Sequence, residues 1–399
     1  MFAKTSGPVP VIMASMSVYA HVALNAHLLS GEASYRSAGI HGYLYNTLAH
    51  LPEVDPSLTY TVFVGRGQLP DHTGWNVRRS RLPTQRPSVR ILWEQVVAPL
   101  ELARLQPDLL HGMAFALPLL WPAPSVVTIF DLSFLRYPDR LSAARRLYLR
   151  LMTRISARRA QRVLAISESG KAEIAMLFGV PAERIDVALP GVGAAFRPLP
   201  PAIVADFRRR NNLPERFILH VGTLEPRKNL DTLLRAYARL PQRGAVKLVL
   251  VGGKGWQTGP MFTLMEELGL EQDVLMPGYV AGDALPLWYN AAEVFAYPSV
   301  YEGFGMPLLE AMACGLPVVA SNTTSLPEAV GSDGLLLPPD DAEAWADALS
   351  RLLDDKSTRA ELAARGQQRA RSFSWVRTAQ QTVAAYHRVL DSKRGSNGA

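Results

Sequence analysis

The 399-residue sequence has one cysteine, Cys314, so no disulfide can form within the chain. A small disulfide-framed fold is excluded, and a reducing compartment is permitted. No apolar run reaches the ~18 residues that a membrane-spanning helix needs. The apolar stretch Val9–Ser15 is short, holds Pro10 and follows a single lysine, Lys4. It is too brief for a secretory leader and reads as an extra strand or a lead-in. The eight histidines are scattered, without the spacing of a zinc site. Charged residues make up 19% and hydrophobic residues 48%, which suits a globular protein. The length is too great for one ordinary core and implies two domains.

Acidic residues are the scarcer charge: the formal net charge is +7. The excess is local. From Arg136 to Arg162 there are nine arginines and one acid, Asp139. Arg146, Arg150, Arg154 and Arg158 recur every four residues and line one helix stripe; Leu147, Leu151 and Ile155 form the neighbouring apolar stripe. The plain reading is a surface helix with a solvated basic face. The sharper one is contact with anionic lipid headgroups or an acidic acceptor. No nucleic-acid motif or basic–aromatic interleaving accompanies the arginines, so no nucleic-acid partner is expected.

Strand-like apolar runs alternate with helical stretches. They fall at Tyr19–Leu24, Tyr60–Val64, Asp108–Gly112, Val126–Phe130, Val163–Ile166 and Ile185–Leu189 in the first half. In the second half they fall at Phe217–Val221, Lys247–Val251, Asp273–Met276, Val294–Tyr297, Pro317–Ala320 and Leu335–Leu337. Such alternation predicts an α/β fold with parallel sheets. The pattern occurs twice. Pro198–Pro201 punctuates the middle, so we expect domains at 1–196 and 216–374 with a linker at 197–215. The tail Asp391–Ala399 is polar and is expected to be disordered. Two doubly wound domains facing each other leave a cleft at the carboxyl ends of both sheets, where ligands bind.

The most informative segment is Tyr301–Ser321, with Glu302 and Glu310 eight apart. Gly303-Phe304-Gly305 reads as a helix opening, with Pro307 in the first turn, Cys314-Gly315 as the stop and Val318–Ala320 as a buried strand. A glycine loop feeding a helix start offers backbone N–H groups to an anion. Two carboxylates flanking that anion could bind hydroxyls on either side of it, which describes a nucleotide sugar. A glycoside hydrolase pair fits poorly, because such glycines have no task there. After the strand Phe217–Val221, Gly222 and Thr223 lead to Arg227 and Lys228, a loop cation pair able to neutralise a diphosphate. Gly252–Gly255 lacks the spacing of a P-loop and reads as a turn.

The segment Glu302–Val319 resembles the signature of the retaining glycosyltransferases of family four, which have the GT-B architecture of two facing Rossmann-like domains. Val221–Asn229, Gly278–Val280, Tyr297–Ser299 and Ser325–Glu328 agree with it. Asp108–His111 and Asp131–Pro138 match more loosely. The resemblance implies that Arg227 and Lys228 bind the donor phosphates and stabilise the leaving group. It places Glu302 on the transferred sugar and Glu310 on the ribose. Backbone groups of Phe304, Gly305 and Met306 would meet the phosphates and sugar, Tyr279 and Val280 would line the base pocket, and Gly39 would approach the phosphate from the first domain. It also implies that 375–390 crosses back to the first domain.

The same resemblance implies a nucleoside diphosphate sugar as substrate rather than a cofactor, with a glycan or lipid-linked acceptor. Asp-x-Asp, which holds a divalent ion in metal-dependent transferases, occurs nowhere, so no metal is expected. Glu225–Asn229 is most like transferases of polysaccharide assembly, many using GDP-mannose, and mannose is therefore the expected hexose. The expected location is cytoplasmic, with peripheral contact at the inner membrane face through Arg146, Arg150, Arg154 and Arg158. Two features depart from the family. Relatives often carry arginine or serine where Thr223 stands, and commonly His-Asp where this chain has Phe130-Asp131. Phe130, Asp131 and His111 are the expected acceptor or sugar-side residues. Two alternatives stay open: an impaired sugar-nucleotide-binding partner subunit, which Phe130 motivates, and a nucleotide-sugar epimerase on the same architecture.

Overall fold

The computed structural model describes residues 20–29, 38–71, 74–137 and 141–397. Val9–Ser15 and Tyr19 lie outside them. The first half forms a seven-stranded sheet from β1 (Ala20–Asn25), β2 (Leu58–Val64), β3 (Trp75–Arg79), β4 (Leu109–Gly112), β5 (Ser125–Ile129), β6 (Arg162–Ala165) and β7 (Ile185–Val187). The second half forms a six-stranded sheet from β8 (Phe217–Val221), β9 (Lys247–Val251), β10 (Val274–Gly278), β11 (Val294–Tyr297), β12 (Val318–Ser321) and β13 (Leu335–Leu337). The orders are 3-2-1-4-5-6-7 and 10-9-8-11-12-13, with every pair parallel. Both sheets reverse direction beside their first strand, between β1 and β4 and between β8 and β11. Each reversal opens a crevice at the strands' carboxyl ends.

Central strands such as β8 and β11 are buried on both faces, which is why they read as unbroken apolar runs. β3 is absent from the sequence expectation. Its Trp-Asn-Val-Arg-Arg is exposed over four of five residues, and it exists because its backbone pairs with β2 from Tyr60 to Val64. An edge strand needs only one hydrogen-bonding side and shows no apolar pattern.

Three further outcomes correct or extend the sequence reading. The stretch 197–215 contains a helix, Pro201–Arg210, whose Phe207 ring meets Trp288 edge-on at 5.4 Å. The tail is not disordered as far as Asn397: helix Trp375–Asn397 continues through it, and Lys393 lies 3.7 Å from Asp108. That helix packs on helix Ala38–Val54 and beside β4–β7 of the first sheet. Finally, helix Ala143–Arg159 buries Met152, Thr153, Ser156 and Ala157, not its leucine stripe. Leu147, Leu151 and Ile155 are 57%, 49% and 36% exposed.

Candidate active site

β8 ends at Val221 and β11 at Tyr297, the two strands at the second sheet's reversal point. The loops leaving them carry the charged groups. Residues 226–228 form one tight turn, and Asn229 follows with a left-handed φ of 53°, bringing Arg227 and Lys228 back over the strand ends. The loop after β11 places Glu302 opposite. Lys228 Nζ donates to Glu302 Oε1 at 2.5 Å, and Arg227 Nη1 donates to Glu302 Oε2 at 2.9 Å. Tyr297 bridges the pair: its hydroxyl accepts from Lys228 Nζ at 2.7 Å and donates to Glu302 Oε1 at 3.0 Å. Arg227 also pairs with Glu225 and donates to the Tyr301 carbonyl at 3.2 Å.

Burial makes these charges interdependent. Desolvation opposes ionisation of Glu302, yet Arg227 and Lys228 outweigh it and hold the carboxyl at about 2. Desolvation also opposes the charge on Arg227, but Glu302 and Glu225 raise its pKa further. Lys228 is pulled below its ordinary value by burial and by the like charge of Arg227, against the pull of Glu302. A lysine so placed is a cation whose charge depends on an anion beside it.

The helix expected after Gly-Phe-Gly is present as Met306–Ala313, with Pro307 in its first turn. Gly305 adopts φ 98°, and a Cβ there would lie 2.7 Å from Leu326 Cδ2, so glycine is needed at this start. Phe304 turns its ring into the core against Phe373, leaving only its backbone toward the loop. Glu310 lies one turn into the helix and accepts from the Tyr289 hydroxyl at 2.8 Å. Desolvation lifts its carboxyl to about 7, with the Tyr289 bond pulling the other way. Gly222 and Thr223 sit on the β8 loop, and the backbone of Gly252 presses against Gly222 so closely that no side chain fits. Gly252–Gly255 is thus a turn braced on the β8 loop, with Gly255 N donating to the Leu224 carbonyl at 2.9 Å. Tyr279 is 39% exposed, not packed in the core, while Val280 packs against it partly buried.

The first domain closes on this loop. Gly303 lies against the Phe130 carbonyl, where a Cβ would come within 2.4 Å, and against Asp131. Tyr301 accepts from Leu132 N at 2.9 Å and donates to Glu173 Oε2 at 2.6 Å. The Glu328 carboxylate accepts from Glu168 N and Ser169 N, both at 2.7 Å, at the start of helix Glu168–Phe178. Gly39 lies in the first turn of helix Ala38–Val54, and Gly42, three residues on, faces the Met306 methyl.

Two residues are placed elsewhere than the sequence suggested. His111 does not face the cleft. It is buried, with Nδ1 2.6 Å from the Tyr386 hydroxyl and Nε2 2.8 Å from Thr128 Oγ1. Burial depresses its pKa to about 3, so it is a neutral tie between β4 and the last helix. The Phe130 ring likewise points inward, packed on Tyr43 and Phe115. Only its carbonyl reaches the loop of Gly303. Asp131 remains beside that loop and accepts from Ser133 N at 2.9 Å. Sequence reasoning missed Tyr297, Tyr301 and Tyr289 as partners of the charged groups. Tyr297 and Tyr301 flank the Pro-Ser step just before Glu302, which was the available signal. Among the described residues no cluster of three His, Cys, Asp or Glu side chains is arranged to hold a metal.

Comparison with known proteins agrees with this geometry. Residues 204–369 match the profile described as glycosyl transferases group 1, and residues 38–196 match that of Glycosyltransferase Family 4. The O-antigen chain mannosyltransferase B of Escherichia coli is 38% identical over 279 residues, covering 69% of this chain and 73% of that one. Sucrose-phosphate synthase from Thermosynechococcus elongatus has the same fold at 24% identity, with a TM-score of 0.72, over 94% of this chain and all of that one. The Anabaena protein HepE in complex with UDP-glucose superposes with a TM-score of 0.68 at 22% identity, covering 91% of this chain and 98% of that one. Both halves of the chain and the two sheets facing across the Glu302 loop therefore assign it to the glycosyltransferases of family four, with the GT-B fold.

Proposed function

We propose that this glycosyltransferase moves mannose from GDP-mannose to a glycan or lipid-linked acceptor, with retention at the anomeric carbon and without a metal ion. The carrying observation is the convergence of Arg227 and Lys228 on Glu302 at the second sheet's reversal point. Two buried cations beside a helix start suit a leaving diphosphate, whose developing charge is the main electrostatic demand of the reaction. A diphosphate that engages the cations releases Glu302 to accept hydrogen bonds from the hexose hydroxyls. Glu310, one turn further along, takes the ribose hydroxyls. The bond from the anomeric carbon to the phosphate oxygen breaks, and the acceptor oxygen attacks from the same face. Its proton passes to that phosphate oxygen, so no protein base is required.

Positive side chains replace a metal in this scheme, and the lack of an Asp-x-Asp pair supports it. The activity for which the Escherichia coli relative is named supports mannose and a polysaccharide acceptor. The test is nucleoside diphosphate release from a panel of nucleotide sugars, with and without EDTA. The anomeric configuration of the product is read by NMR. GDP-mannose turnover that survives EDTA and gives the donor's own α configuration is the expected result. An inverted product, or turnover that needs a divalent ion, overturns the corresponding part, and a different donor overturns the choice of mannose.

A further inference from the structure

The stretch Ser325–Glu328 belongs to the family pattern, yet the donor chemistry gives it no task. It follows β12 and opens the helix Leu326–Val330. Thr324, just before it, adopts φ 50°, a left-handed conformation that a β-branched residue rarely takes. Its side chain shows what that conformation serves. Thr324 Oγ1 accepts from Glu302 N at 3.2 Å, and Ser325 Oγ donates to the Glu302 carbonyl at 2.9 Å. Two adjacent side chains thus hold both backbone polar groups of Glu302. Ser325 and Leu326 are fully buried, and Leu326 lies against Gly305 beyond Glu302. Arg369 donates to the carbonyls of Glu328 and Ala329, each at 2.6 Å, and braces the segment from behind.

The same segment reaches the first domain. Glu328 Oε2 accepts from Glu168 N and Oε1 from Ser169 N, both at 2.7 Å. These amides open the helix Glu168–Phe178, and the next one, Gly170 N, donates to Ser167 Oγ at 2.9 Å. A helix start leaves its first N–H groups without internal partners. Here a carboxylate from the other domain takes two of them, at the end where the helix dipole favours an anion. One oxygen on each amide fixes the direction of the carboxylate as well as its distance. Ser325 to Glu328 therefore join the Glu302 backbone to the first domain. Tyr301 makes a second attachment on the other side of Glu302, through Leu132 N and Glu173. We propose that Glu328 is a positioning residue for the transfer. By docking on helix Glu168–Phe178 it sets Glu302, and hence the hexose, against the first domain and its acceptor. This rests on the proposed role of Glu302 on the hexose and adds the element that aligns it. A misplacement of ~1 Å can cost on the order of 10²-fold in rate.

The test compares E328Q with the parent and with two changes at position 168. Glutamine keeps the shape but turns an NH2 group toward one of the two amides. Its kcat/KM for sugar transfer should fall at least about tenfold, the worth of a charged hydrogen bond. Calorimetric affinity for the nucleoside diphosphate should stay within about twofold, since Arg227, Lys228 and Glu310 stand in the second domain. E168P removes one amide but keeps the helix: proline suits the first helical position, and Ser167 before it is already extended at φ −160°. Measured against E168A, which keeps the amide, E168P should lose transfer to a similar extent. The E168P/E328Q pair should lose no more than the worse single variant. A side chain that merely supported the fold would not give that pattern with nucleotide affinity intact. Amide exchange reads the same coupling without turnover: E328Q should speed exchange at 168–170 and at 301–303 by at least about tenfold. Faster exchange at 168–170 alone would overturn the proposal. So would undiminished transfer, losses that multiply in the pair, or weakened nucleotide binding. A parent that turns over no nucleotide sugar counts against the transferase reading and leaves amide exchange to decide whether Glu328 holds Glu302 in place.

Discussion

Replacing Glu302 by glutamine keeps the shape of the side chain and removes one negative charge from between two buried cations. The structure fixes the size of the effect. A carboxyl held at about 2, against an ordinary 4.5, corresponds to about 3 kcal/mol of favourable interaction. That agrees with about 3–5 kcal/mol for breaking a buried ion pair from one side, and exceeds the roughly 0–1 kcal/mol of an exposed pair. Part of the loss is recovered, because Lys228, already below its ordinary pKa, can shed its proton once the carboxylate is gone. The Glu302 pKa is depressed on folding, so its contribution is present above the unfolded value and lost as pH falls toward 2. Urea unfolding at pH 7 should therefore place E302Q about 2–3 kcal/mol below the parent, with the gap closing as pH drops below about 4. Turnover per folded molecule should fall about 10–150-fold, the worth of charged hydrogen bonds to the sugar. A variant within about 0.5 kcal/mol of the parent at pH 7 would refute the electrostatic reasoning. Undiminished turnover would refute the assignment of Glu302 to the sugar.

Glu310 titrates near 7 because burial penalises its charge, so folding is disfavoured as pH rises from about 4.5 toward 7. E310Q should therefore be more stable than the parent at pH 8, by up to about 3 kcal/mol, in thermal melts across pH. The same variant should bind the nucleoside diphosphate more weakly by calorimetry, and the parent's affinity should rise as pH passes through 7. G303A puts a Cβ against the Phe130 carbonyl and should hold the domains apart. Its kcat/KM should drop at least about tenfold with melting little changed, since the clash lies between domains and not inside either core. F130H should gain no turnover, because the ring lies among Tyr43 and Phe115 and not over the sugar. It should lose about 1–3 kcal/mol by burying an imidazole there, read by urea unfolding.

The legible parts of the chain were those whose signal is local. Among the described residues, eleven of thirteen strands, those from β2 onward except β3, announced themselves as apolar runs; central ones such as β8 and β11 did so because parallel strands there are buried on both faces. β1 was legible too; it runs one residue further than expected, to Asn25, and Tyr19 falls outside the described residues. β3 was silent because an exposed edge strand is held by backbone pairing alone. The glycine, proline and stop signals around Met306–Ala313 are also local backbone chemistry, and they marked that helix correctly. The leucine stripe on helix Ala143–Arg159 shows where such reading stops. Periodicity finds an apolar stripe but cannot say which side of the helix meets the core.

Residue types and their order along the chain determined that two parallel-sheet units follow one another and that acids and bases stand on loops leaving strand ends. Folding decided who meets whom. Lys228 and Glu302 are 74 residues apart in sequence and 2.5 Å apart in space. Tyr297 bridges them only because β8 and β11 are neighbours at the reversal of the sheet. His111 and Phe130 carry the right chemistry for a cleft, yet they face inward because Tyr386, Thr128, Tyr43 and Phe115 surround them. A side chain's direction and charge state depend on neighbours distant in sequence, and only the packed chain brings those neighbours near.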